Sequence, residues 1–278
     1  MKPTRLRPAA LAASLLMLLA GPARGQSAEN PLLILTITGG WINGGELWRL
    51  PRQEATVLGG ALDTVGLERR FRTGVVAGLG ATLFRSPHLG YSAELAFLGI
   101  STESRCLPPT QWAADGNHIN EQACNSIQGR TLRTSAVALQ AGLTWRPVAS
   151  GGIQPYLRGV VGPAYLGGSS VETSGNVVVP ADSGESPFRV RTFLGDEHPR
   201  TFTWAATLAG GVMLHIASGA RLRFEARDVV TNLSVATGPG SPTTVGSPAR
   251  VGSKTFHLFS FTAALDILLE RSRRTPRY

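Results

Sequence analysis

Hydrophobic and polar side chains alternate along residues 219–230, which read GARLRFEARDVV. One set of alternate positions is apolar and includes Leu222 and Phe224. The other set is charged and consists of Arg221, Arg223, Glu225 and Arg227. Because successive side chains of a β-strand point to opposite faces, this segment is predicted to be a strand with one apolar and one charged face.

Seven further segments show the same two-residue period. They are residues 32–41, 73–85, 88–99, 134–146, 153–165, 201–215 and 255–269. In each segment one face carries aliphatic and aromatic residues. The other face carries mostly glycine, alanine, serine and threonine, with a few charged residues. The chain is therefore predicted to form eight strands of 10–15 residues.

The connections between these segments alternate in length. Short turns are expected around residues 86–87, 148–152 and 217–219, and long polar loops at residues 43–70, 102–130, 170–200 and 232–253. This arrangement is typical of an all-β, eight-stranded antiparallel up-and-down transmembrane β-barrel. A soluble β-sandwich would expose bulkier polar residues on its second face, and a lipocalin-like barrel would have an apolar interior, so both alternatives fit less well.

Aromatic residues lie near both ends of the predicted apolar face. Tyr91 and Trp145 are near the short turns. Near the long loops are Trp41, Tyr165, Phe202 and Trp204. Two such belts, or girdles, mark the membrane–water interfaces of membrane barrels.

The first 25 residues have the order of a secretory signal peptide, with a basic start, an apolar run and small residues before Gly25. We expect cleavage there, although an uncleaved anchor is the alternative. A barrel is then expected at residues 26–270 and a basic tail at residues 271–278. Without residues 1–25, the chain has 23 basic and 18 acidic residues. Export and the scatter of the arginines over strands argue against a nucleic-acid partner.

Cys106 and Cys124 are the only cysteines, and they flank one polar loop. In an exported chain, two such thiols are predicted to form a disulfide. A metal site is the alternative, but a closed zinc site needs four spaced ligands and His118 is the sole histidine nearby. We expect no metal.

Taken together, the export signal, the eight alternating segments and the RLRFEARDVV strand resemble the small outer-membrane β-barrels of the OmpA transmembrane-domain and OmpX type. The resemblance covers about residues 31–269. It implies the Gram-negative outer membrane, contact with membrane lipid and lipopolysaccharide, insertion by the barrel-assembly machinery, and no cofactor. It does not imply an activity, because function on a shared fold depends on individual sites.

Charged and amide residues fall on the inward face at mid-strand. They are Glu94, Gln140, Arg158, Arg223, Glu225, Arg227 and Asp266. Since eight strands leave room only for side chains, these residues are predicted to pair and plug the lumen. The alternative is a narrow ion path lined by arginine, as in a small solute channel.

The chain is therefore predicted to be a non-enzymatic outer-membrane protein with a structural or surface-interaction role, in which the long loops bind an unidentified extracellular partner. A second alternative is an enzyme that modifies lipid A. Its best candidate pair is Asp228 and His257, which are predicted to face outward near the long loops on adjacent strands. Ser260 lies on the opposite face and could not serve that pair as a nucleophile.

Overall fold

The computed structural model of the chain describes residues 32–56, 62–113, 118–148, 151–178, 188–196, 199–217, 219–238 and 250–269. The predicted signal peptide at residues 1–25 and the basic tail at residues 271–278 lie outside these ranges.

Strands dominate the described residues. The elements are β1 (Leu32–Asn43), β2 (Glu46–Thr56), β3 (Leu62–Phe84), β4 (Leu89–Leu107), α1 (Ile119–Ile127), β5 (Arg130–Trp145), β6 (Ile153–Leu166), β7 (Thr173–Val178), β8 (Phe188–Leu194), β9 (Phe202–Ala217), β10 (Ala220–Gly238) and β11 (Arg250–Leu269). Within the described ranges, no helix is long and apolar enough to cross a membrane.

Eight of the strands form a closed antiparallel ring in the order β1, β3, β4, β5, β6, β9, β10, β11. The ring closes because β1 pairs with both β3 and β11, so that Thr36 lies between Gly80 and Asp266. Closure leaves these strands without a free edge in the barrel wall. The predicted eight-stranded up-and-down barrel is confirmed.

The two faces of the wall differ in polarity as predicted. Large apolar side chains such as Leu79, Leu139 and Leu208 point outward and are exposed. The alternate positions of the wall strands point into the barrel, and their buried residues include Thr82, Ser92 and many small side chains. A polar interior inside an apolar outer band is the pattern of a barrel surrounded by lipid.

The prediction of four long polar loops was wrong in part. β3 has 23 residues and β4 has 19, so the wall continues well past the apolar band. β2 pairs with the outer half of β3, and β7 pairs with β8 in a separate hairpin. We call this outer part of the molecule, made of β2, α1, β7, β8 and the outer ends of the long strands, the cap.

The polarity of the strands reverses in the cap, which explains the wrong prediction. In β3 the residues buried beyond the band include Val65, Leu67 and Phe71, whereas Arg70 and Arg72 are exposed. A register shift between Arg72 and Val75 places these odd-numbered positions inward. Outside the bilayer the outer face meets water and the inner face must supply a core, so the alternation is inverted. A sequence pattern that requires apolar residues on the outer face therefore ends each strand at the edge of the membrane and misses its outer part.

A hydrophobic core fills the cap. It includes Leu47 and Trp48 of β2, Ile127 of α1, Leu194 of β8 and Leu258 of β11. The chain enters this core at Gly44, where a Cβ atom would lie 2.8 Å from the side chain of Leu258. This Cβ atom would also lie 2.7 Å from the Phe71 ring, so a larger residue at the turn into β2 would displace these core side chains. The long-loop end of the barrel is thus covered by packed structure.

The predicted disulfide between Cys106 and Cys124 is confirmed. It joins the end of β4 to α1, and both residues are buried in the core of the cap. Ala123 and Ile127 bring the same helix into contact with that core. The crosslink therefore holds α1 against the barrel wall.

Replacing both cysteines by serine is expected to loosen the cap by about 3 kcal/mol, because the unfolded segment is then no longer closed into a loop. Amide hydrogen exchange should rise in α1 and in the β7–β8 hairpin. Exchange in the apolar band, for example in β5 at Leu139, should stay unchanged. Equal acceleration in the cap and the band would contradict a local role for the disulfide.

Candidate functional site

The lumen gathers all seven side chains that the sequence assigns to it. Each is between 0% and 5% exposed. They are Glu94, Gln140, Arg158, Arg223, Glu225, Arg227 and Asp266. They come from five strands because alternate residues of β4, β5, β6, β10 and β11 point inward at similar depth.

Two arginines and two glutamates form a closed group that we call the charge ring. The Arg158 guanidinium lies 2.8 Å from Glu225 Oε1 and also contacts Glu94. The Arg227 guanidinium lies 2.7 Å from Glu94 Oε1 and also contacts Glu225. Each cation therefore bridges both carboxylates, and the four charges sum to zero. Tyr156 donates its hydroxyl proton to Glu225.

A second ion pair lies beside the charge ring. Arg223 donates from Nε and Nη2 to Asp266 Oδ2, at 3.0 and 2.8 Å. Thr36 donates to Asp266 Oδ1 at 2.7 Å and accepts from Arg223 Nη2 at 3.1 Å. The Arg223 guanidinium also lies 5.3 Å from the ring centroid of Tyr156. Tyr156 therefore links this pair to the charge ring.

Gln140 is placed differently from the charged residues. Its amide Nε2 donates to the Ala205 carbonyl at 2.9 Å, and its Oε1 accepts from the Thr207 hydroxyl at 3.0 Å. Both partners belong to β9. Gln140 thus bonds β5 to a strand across β6 and satisfies its own amide.

Small residues make room for the large lumen side chains. Gly78 lies diagonally across from Glu94, and a Cβ atom at Gly78 would lie 3.1 Å from Glu94 Oε1. That distance is tighter than an ordinary contact, so a side chain here would crowd the carboxylate. The glycine and alanine content of the inner face is thereby explained by the volume of the ionic groups.

A further layer of polar side chains lies in the lumen near the short turns, and the sequence analysis did not predict it. Arg146 lies 3.7 Å from the ring centroid of Phe84 and donates to the Pro87 carbonyl at 2.8 Å. Gln154 Oε1 accepts from Arg221 Nη1 at 3.1 Å and from Arg146 Nη1 at 3.4 Å. Arg146, Gln154 and Arg221 occupy inward-facing alternate positions at the strand ends, and this pattern could have identified them. These residues narrow the short-turn end of the lumen.

The six predicted girdle aromatics lie on the outer wall. Their exposed fractions run from 42% to 67%. They are Trp41, Tyr91, Trp145, Tyr165, Phe202 and Trp204. Tyr165 and Phe202 pair edge to face across β6 and β9 with a centroid distance of 5.3 Å.

Asp228 and His257 come together on the outer wall. His257 Nδ1 lies 2.8 Å from Asp228 Oδ2, although His257 is directly opposite Val230 and reaches Asp228 diagonally. Ser260 is buried on the other face. His257 also lines a pocket of about 750 Å³, which we call the wall pocket; its other lining residues are Trp41, Asn43, Gly44, Gly45, Thr73, Phe259 and Phe261.

No group of three or more histidine, cysteine, aspartate or glutamate side chains could hold a metal ion within the part of the chain that the structure describes.

Solved structures of outer-membrane barrels are similar to this fold. The outer membrane protein OprG from Pseudomonas aeruginosa is 11% identical over 87% of this chain and 97% of its own, with a TM-score of 0.42. Neisserial surface protein A is 8% identical over 85% and 96%, with a TM-score of 0.38. The outer membrane protease OmpT from Escherichia coli is 8% identical over 89% and 99%, with a TM-score of 0.31.

No protein-family model and no curated protein sequence matches the chain. The architecture is that of a transmembrane β-barrel, because a closed strand ring with an apolar outside and a polar inside is suited to a bilayer. This fold alone fixes no activity.

Substituting Arg223 by leucine is expected to cost about 3–5 kcal/mol, because Asp266 is then left buried without its cation. The Asp266→Leu variant should lose a similar amount. The double variant should regain at least half of either loss, since two apolar side chains replace a desolvated pair. Urea titration in detergent, followed by the mobility of unboiled samples on gels, measures these free energies of unfolding.

Arg52→Leu is the matched control for this cycle, because Arg52 is exposed in β2. It should change the free energy of unfolding by less than about 0.5 kcal/mol. Strictly additive losses in the double variant would show that Arg223 and Asp266 do not stabilise each other.

Proposed function

We propose that the protein is an integral outer-membrane barrel with a closed lumen that acts as a structural and surface-interaction protein. The main support for this proposal is that the barrel interior is filled along both its membrane part and its cap. Six ionic side chains whose charges balance occupy the middle of the membrane part, and a hydrophobic core occupies the cap.

The ionic layer favours a plug over an ion path. Glu94, Glu225 and Asp266 balance Arg158, Arg223 and Arg227, and each of these charges contacts an opposite one. A conducting path would need charged side chains that can leave their ion pairs and contact water. Eight-stranded barrels also have an interior that side chains can fill, whereas water-filled pores belong to wider barrels.

The cap supports the surface-interaction part of the proposal. Arg69 is fully buried there and donates to Ser104 Oγ, to the Glu172 carbonyl and to Thr173 Oγ1, at 3.2, 2.5 and 3.1 Å. Burial lowers the pKa of the Arg69 guanidinium to about 10, and the Glu172 charge partly offsets this effect. Arg69 therefore stays cationic at neutral pH and ties β3 to β4 and to the start of β7.

A rigid cap offers a preformed surface to an extracellular partner. Elements held by a disulfide and by buried hydrogen bonds lose little conformational entropy on binding. This surface would be formed by the exposed residues of β2, among them Glu46, Arg49 and Glu54, and by the exposed positions Asn176, Val178 and Val190 of β7 and β8. Insertion by the barrel-assembly machinery and contact with lipopolysaccharide belong to the same proposal.

The purified wild-type barrel is expected to give no regular current steps in planar lipid bilayers, because both layers close the lumen. The absence of current supports a closed lumen only if the same sample runs on a gel as the folded, heat-modifiable species. Reproducible openings of uniform size from that folded sample would overturn the closed lumen and favour the solute channel.

A further inference from the structure

The wall pocket opens on the outer surface of the barrel where β1 ends. β1 stops at Asn43, and the chain turns at Gly44 and Gly45 into β2, while β3 and β11 continue on either side. Since long connections of outer-membrane barrels are extracellular, this place lies in the outer half of the bilayer.

Polarity changes along the wall pocket in the direction of the strands. Phe261 and Trp41 are paired at its membrane end, and both are exposed. His257 lies four residues further along β11, about 13 Å away at the usual rise of a strand. The pocket therefore has an apolar end on the membrane side of the interface, at the level of the aromatic girdle, and a polar end on its water side, which matches the two parts of an amphiphile.

The polar end can both donate and accept hydrogen bonds. An ionised Asp228 only accepts, so His257 Nδ1 carries the proton between them and Nε2 remains for a ligand. Asn43 Oδ1 accepts from the Gly44 amide at 2.8 Å, which leaves the Asn43 amide nitrogen as a donor. Thr73 adds a hydroxyl that can act either way.

This set of groups suits sugar hydroxyls better than phosphate. The described lining of the wall pocket contains no lysine or arginine, the residues that usually hold phosphate. Hydroxyl groups, in contrast, donate and accept in turn, as His257, Asn43 and Thr73 require. Phe259, between the two ends, continues the apolar side towards the interface.

We propose that the wall pocket binds one glycolipid of the outer leaflet. An acyl chain lies along Trp41, Phe259 and Phe261, and sugar hydroxyls bond to His257, Asn43 and Thr73. Asp228 positions the imidazole. The proposal rests on the outer wall facing lipid and not on the closed lumen, so a conducting barrel would leave it standing.

Native mass spectrometry of the full mature barrel in detergent tests this site, with monoglucosyl diacylglycerol, a glycolipid without phosphate, and phosphatidylethanolamine as separate probes. The wild type should retain one glycolipid and bind it at least tenfold more tightly than phosphatidylethanolamine. Phe261→Ala should weaken glycolipid binding about tenfold through lost apolar contact. His257→Phe should weaken glycolipid binding by a similar factor and leave phosphatidylethanolamine binding unchanged, because only the sugar contact is removed.

Phe202→Ala is the matched control, because Phe202 is an exposed girdle aromatic on β9, outside the lining of the wall pocket. It should bind the glycolipid like the wild type, and all variants should keep the heat-dependent gel shift of a folded barrel. Equal binding in Phe261→Ala and Phe202→Ala, or equal affinity for the two lipids, would overturn the glycolipid site. Loss of an acyl chain from the bound glycolipid would replace binding by catalysis and overturn it as well.

Discussion

The pairing of Arg158 and Arg227 with Glu94 and Glu225 is the interaction on which the barrel depends most. Each partner is buried, so any one of them alone would cost several kcal/mol. The four residues come from β4, β6 and β10, and they meet only if those strands keep their register. A slip of one residue would move the charges into lipid, so the charge ring specifies register as well as closing the lumen.

The surroundings of the strands change along the barrel axis, and the side chains change with them. Within the bilayer, Leu79 faces outward and Glu94 faces inward. Beyond it, Leu67 faces inward and Arg70 faces outward. β3 crosses both regions with a register shift between Arg72 and Val75, where one extra residue of β3 moves the inward-facing set from even to odd positions. The cap core and the lumen network are therefore consecutive fillings of one barrel.

The sequence predicts the barrel more completely than the cap. Lipid outside and polar groups inside impose the alternation that identifies residues 73–85 and 88–99 as strands. The cap was not predicted, because its alternation has the opposite sense and its β7–β8 hairpin packs through contacts distant in sequence. The disulfide was an exception, since two cysteines in an exported chain leave a single pairing.

The sequence predicts which residues of the candidate sites lie in the lumen, but it does not predict their contacts. Strand phase places Arg223 and Asp266 in the lumen, but only the structure shows that they bond to each other and to Thr36. Strand phase also places Tyr156 on the same face as Arg158, but only the structure shows that it links the two ionic groups. The wall pocket depends on the end of β1 between two longer strands, which no local pattern reveals.

The most direct test of the closed lumen is solvent exchange at the arginine guanidinium groups, measured by nitrogen-15 NMR of the folded barrel in lipid nanodiscs. Arg158, Arg223 and Arg227 should give distinct side-chain signals that exchange with water far more slowly than the exposed Arg52. Exchange of the three lumen arginines at the rate of Arg52 would contradict the account, because it would place mobile water among the charges.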